Sequence, residues 1–158
     1  MATYTDTLGF NRGSSALRFE GHRVSRQAVK LDFAAIAAAR TAAGASALVA
    51  TDVLQVLSIP AKTLVLSVGA DCTTAEGATL TIGVGDGTST SGYLTAFSLN
   101  SVASIASALT LTEATPNTVT GLTGGKYYSA ADTIDVLINT SGADVAVVTI
   151  WAVCVDCS

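Results

Sequence analysis

The residues able to do chemistry are few and scattered. Cys154-Val155-Asp156-Cys157 has the spacing of half a zinc knuckle or of a redox pair, because two thiolates three residues apart can share a soft metal or interconvert with a disulfide. Zinc needs two further ligands, and the chain offers only Cys72 and one histidine, His22. On a strand, residues three apart face opposite sides, so one thiol is expected buried and the other at the strand's end. Gly83-Val84-Gly85-Asp86-Gly87 is glycine-rich in the manner of phosphate cradles, but a cradle needs a following helix N-terminus, and Thr88 to Gly92 reads as more loop. A tight turn, with Asp86-Gly87 supplying a positive φ, is the expectation. Asp71, Glu76 and Asp86 could converge on a calcium ion, yet their spacing fits no EF-hand, and solvated loop acids are the simpler reading. Asp135, between Ile134 and Val136, is expected on a solvent face. A Ser-His-Asp or Cys-His nucleophile fails on inventory, since His22 lies in a basic, polar segment with nothing rigid to hold it. No catalytic, cofactor-binding or metal-ligating residue is named, and no enzyme is expected.

The charges are distributed unevenly. Of eight Lys and Arg, six lie at or before Arg40, whereas the remainder holds nine of the twelve acids against Lys62 and Lys126. A basic segment ahead of an acidic body is the pattern of a chain that docks onto something of opposite charge. Arg12, Arg18, Arg23, Arg26 and Lys30 are the candidate partner-binding residues. Nucleic acid is a poor fit, because the net charge is -4 and no dense set of aromatics accompanies the arginines. Charged residues make up only 13% of the chain, so much of the surface must be small and weakly polar. With four Phe, four Tyr and one Trp, an interface would rest on area and repetition more than on large anchors.

The elements that must carry these residues are mostly strands. A chain of 158 residues with 49% hydrophobic content suits one core without disulfide staples, and three cysteines are expected as reduced thiols. Residues 1–31 lack enough apolar positions to bury a face and read as an extended basic arm ordered by a partner. Residues 32–158 read as the folded domain. Phe33 to Arg40 has strong helix propensity, with Asp32 as N-cap and Gly44 as stop; the alternative is a half-buried edge strand through Val29, Leu31 and Phe33. From Val53 onward, strand-like segments are punctuated by Gly, Asn, Asp and Pro: 53–59 before Pro60, 63–69, 79–84, 93–97, 133–138 and 145–155. The last is nearly continuous and apolar, which predicts a central strand with Trp151 in the core. Between Ser98 and Tyr128 long loops are expected. No secretory leader is read in the polar first dozen residues, and the Ala-rich run from Phe33 to Ala50 is interrupted by Arg40, so no membrane span is expected.

Together these features predict an all-β protein, a single jelly-roll-like β-sandwich with an extended N-terminal arm and one short helix. Asp32-Phe33-Ala34-Ala35-Ile36-Ala37, Asp52 to Ala61, Gly83 to Gly87, Ala131 to Val136 and Ile150 to Cys154, in this order, resemble a group of small virion structural proteins of tailed bacteriophages. The resemblance covers about Asp32 to Ser158. It implies a capsid decoration (cement) or head-associated protein on the capsid surface, assembled in the host cytoplasm. It also implies the major capsid protein or other virion subunits as partners, and a symmetric homo-oligomer, a trimer. The alternatives are a tail or fibre component, or a carbohydrate-binding module using loops around Tyr93, Tyr127 and Tyr128.

Overall fold

A computed structural model describes residues 3–4, 24–77, 79–106, 125–140 and 142–157. The chain runs through β1 (Thr3–Tyr4), β2 (Val24–Asp32), α1 (Phe33–Ala42), β3 (Val53–Ile59), β4 (Thr63–Thr74), β5 (Thr81–Asp86), β6 (Leu94–Ser98), β7 (Ala103–Ala106), β8 (Lys126–Tyr128), β9 (Asp132–Ile138) and β10 (Val147–Asp156). One sheet has the order β1-β3-β9-β5-β6, the other β2-β10-β4-β7, with β8 also paired to β4. Apart from β1, which lies parallel to β3, all the pairings are antiparallel. β1 to β5 alternate between the sheets, while β5 and β6 share one sheet and β7 and β8 the other, and the expected all-β sandwich stands.

The core forms because inward positions recur every second residue along each strand. Ile82 and Val84, Ile134, Val136 and Ile138, and Val148, Ile150 and Ala152 meet between the sheets and are fully buried. Burying each large aliphatic side chain contributes about 1.5–3 kcal/mol. From Val147 to Val155, β10 alternates between buried and partly exposed residues, so it is not buried on both faces as its apolar text suggested. Trp151 stands on its outer, half-exposed face, which corrects its expected place in the core. Continuous hydrophobicity here marks a strand whose outer face is also apolar.

Two alternatives at the domain's start both occur, in succession. Val24–Asp32 pairs along its whole length with β10, and α1 begins at the next residue. Asp32 ends the strand and caps the helix, accepting a hydrogen bond from the Ala35 amide at 3.1 Å. Gly44, at φ 67°, stops the helix in the left-handed conformation that costs glycine little. Residues 24–31, assigned from the sequence to the arm, are thus a strand of the sandwich. Arg12, Arg18 and Arg23 lie outside the described residues.

Candidate functional site

The densest polar cluster sits at one end of the sandwich and joins the two sheets. On β5, Ile82, Val84 and Asp86 share the inward parity, so the strand's last residue carries a carboxylate toward the opposite sheet. There β8 turns Lys126 and Tyr128 inward and Tyr127 outward. Lys126 Nζ and Tyr128 Oη both donate to Asp86 Oδ2 at 2.5 Å, and the Tyr93 and Tyr128 hydroxyls are hydrogen-bonded at 2.7 Å. Asp86 Oδ1 accepts from the amides of Thr88 and Ser89. Lys126 also lies 5.3 Å from the centre of the Tyr128 ring.

Burial alone would raise the Asp86 carboxyl. The hydrogen bonds from Lys126, Tyr128 and Ser89, with the charge of Lys126, outweigh it and hold the group below the usual aspartate value. Burial pushes both tyrosines well above the ordinary phenol value, and hydrogen bonding to Asp86 adds to the shift at Tyr128. Every strong acceptor position on Asp86 is occupied from within the chain, so the cluster is a fastening between sheets. It leaves no carboxylate free to act as a base.

The glycines beside Asp86 serve a related purpose. Gly83 and Gly85 face outward, and the segment from Thr88 to Gly92 folds back over them. A Cβ on Gly85 would come within 1.8 Å of the Ser89 carbonyl oxygen, and one on Gly83 within 2.9 Å of Ser91 Cβ. The Gly-x-Gly spacing therefore marks a bare strand face on which backbone lies directly, and neither a phosphate cradle nor a positive-φ turn. Gly87 has no left-handed φ; among the described glycines only Gly44 and Gly77 do. Asp135, paired with Gly85 on this face, points outward as its parity predicted but is 3% exposed and accepts from Thr133 Oγ1 at 2.6 Å. The segment from Thr88 to Gly92 covers the glycine part of that face.

Other acids are held in the same manner. The Glu76 carboxylate accepts from the amides of Asp144, Val145 and Ala146, at 2.6 Å for the last, and so secures the turn that leads into β10. Asp52 is buried and accepts from the Val49 amide. Asp52, Glu76, Asp86 and Asp135 are thus interior groups, and the acidic body inferred from charge counts is much less acidic on its surface. Among the described residues no group of three or more His, Cys, Asp or Glu is placed to hold a metal ion. Asp71, Glu76 and Asp86 do not converge. Cys154 is buried, its thiol raised by burial to about 11, while Cys157 is partly exposed, so the pair divides between faces as expected.

Tyr128 is buried and Tyr93 turns its hydroxyl inward, so neither contributes to an exposed glycan platform with Tyr127. A depression of about 450 Å³ lined by Gln55, Ser58, Ile59, Pro60, Asp132 and Thr133 brings one carboxylate and no nucleophile–base pair. No described helix is long and apolar enough to cross a membrane.

The two basic candidates within the described residues, Arg26 and Lys30, stand exposed on the outer face of β2. Arg26 lies 5.2 Å over the Trp151 ring. Neither Arg26 nor Lys30 forms an ion pair with an acid among the described residues. The alternation of β2 could have shown this pairing of a cation with Trp151, had the strand been extended back from Val29 to Val24.

No family model and no curated protein matches the chain. Solved structures do. A chain of the cyanophage Pam1 capsid asymmetric unit is similar with a TM-score of 0.57 at 16% identity, over 92% of both chains. A chain of the acid-stable capsid of Helicobacter pylori bacteriophage KHP30 gives 0.57 at 10% identity, over 87% of this chain and 92% of that one. A chain of the Ralstonia phage GP4 capsid gives 0.53 at 13% identity, over 87% and 86%. At these identities the likeness is one of fold, and it spans nearly the whole of each chain.

Proposed function

We propose that this chain is a virion structural protein of a tailed bacteriophage, a decoration (cement) protein that binds the outer shell and stabilises contacts between capsomers. The observation that carries the reading is the near end-to-end fold likeness to chains from three phage capsids. The internal engagement of the described acids agrees with it, because a domain whose carboxylates fasten its own sheets and loops is built for rigidity. The protein acts as a symmetric homo-oligomer, a trimer, with the major capsid protein as its partner. The basic residues Arg12, Arg18, Arg23, Arg26 and Lys30 make contacts to the shell. Each copy that binds only the assembled shell stabilises it by mass action, and many weak sites sum through multivalency.

Quantitative mass spectrometry of purified virions tests the assignment. Hundreds of copies per particle are expected of a shell component; a handful would replace this reading with a tail or fibre component, and absence from the particle would remove both. Light scattering of the purified protein tests the trimer, and a monomer that binds shells as a monomer would overturn that part alone.

A further inference from the structure

We propose that β2 is a strand-addition site, and that its occupant is an extended acidic segment of the shell protein. The inference rests on the reading above and says where and by what chemistry the contact forms.

β2 ends its sheet, and no described strand lies beyond it. The Phe33 amide donates to the Ala146 carbonyl at 2.9 Å, which fixes the phase of the antiparallel ladder with β10. Counting back in an unbroken register, residues 31, 29, 27 and 25 bond to β10, and the N–H and C=O groups of Val24, Arg26, Ala28 and Lys30 point to the open side. These four residues are also the ones whose side chains are exposed. Gln27, on the same strand, has a buried Oε1 with no hydrogen-bond partner among the described residues.

An unprotected edge would pair with any strand, including another copy of itself, and charge decides between occupants. In an antiparallel pair of β2 strands centred on Ala28, which gives the greatest overlap, Arg26 would face Lys30 twice. Like charges directly opposite are destabilising. A strand with carboxylates four residues apart places one opposite Arg26 and one opposite Lys30, on the face where Trp151 already holds the guanidinium in position. Main-chain bonds supply the affinity and the two charges supply the choice, as in other cases of strand addition.

Two variants and one label test this on shells stripped of the protein. Ala28→Pro removes an amide that points to the open side and not into the sandwich, and proline is tolerated at such edge positions. Arg26→Glu with Lys30→Glu reverses the charges. Both variants are expected to melt close to the wild type while occupancy on shells falls about tenfold or more, since truncated charge pairs and a blocked edge act on the bound state. Hydrogen exchange at Arg26, Ala28 and Lys30 should be fast in the free protein and slow on the shell. Occupancy unchanged in the charge-reversed variant, whose fold is the safer, would overturn the proposal while leaving the virion role standing. So would protection of these amides in the free chain, which would show the edge covered by the chain itself or by another copy, and so would loss of binding after nuclease treatment. Failure of the wild type to bind shells would remove the virion role and this proposal together.

Discussion

Replacing Lys126 by Met separates the fastening role of the Asp86 cluster from mere packing. Lys126 and Asp86 have side chains 8% and 3% exposed, so the substitution leaves a buried carboxylate with Tyr128 and two amides but no opposing charge. Breaking a buried pair from one side costs about 3–5 kcal/mol. At about 2–4 °C per kcal/mol for a chain of this size, the melting midpoint should fall by about 10 °C at pH 7. The sign of the pH dependence is a further check. Asp86 is held below the ordinary aspartate value in the folded protein, so its contribution is complete above about pH 4 and is lost as the pH falls through the lower folded value. The variant loses the charge that depresses it, so protonation relieves part of its penalty. The gap between variant and wild type, measured by urea titration at pH 7 and near pH 3, should therefore shrink in acid. A cost below about 1 kcal/mol, as for an exposed pair, or a gap independent of pH would refute the fastening argument.

Four further outcomes are expected. Gly85→Ala should destabilise the domain by at least the about 1–3 kcal/mol of overpacking, measured by chemical denaturation, whereas Gly92→Ala, whose Cβ would meet only ordinary contacts, should be nearly silent. Glu76→Ala should cost about 3 kcal/mol or more, because three amides lose a charged acceptor, and hydrogen exchange at Asp144 to Ala146 should accelerate. Titration of the native protein with a thiol reagent at pH 8 should modify Cys157 quickly, and Cys72 and Cys154 only on unfolding, since burial raises both of their thiols. Trp151→Ala should lower stability by less than the about 3–5 kcal/mol of a buried tryptophan, because the ring is half-exposed and loses its Arg26 contact without leaving a core cavity.

Periodicity and punctuation decided the parts of this protein that depend on neighbours in the chain. The strands at 53–59, 133–138 and 145–155 follow from alternating or continuous apolar text, and the helix boundaries follow from Asp32 and Gly44, because a cap acts within three or four residues. Parity also placed Asp135 outward and divided Cys154 from Cys157. Strands with little apolar text of their own were not legible: β7 and β8 fall where loops were expected, and β2 was visible only as an alternative. The short strand β8 is three residues long and pairs with β4, some sixty positions earlier, so its existence depends on a partner no local window contains.

Tertiary structure alone decided which charges meet water. The strand pattern puts Asp86 in line with Ile82 and Val84, but only the opposing sheet supplies Lys126 and Tyr128 to make burial tolerable. The glycines at 83 and 85 announce a bare face; what lies on it is set by the return of Thr88 to Gly92. Trp151 shows the converse, since apolar text cannot distinguish a core strand from one whose outer face is left half-covered. A side chain's direction is a local property of the backbone, whereas its solvent is fixed by what the rest of the chain places above it.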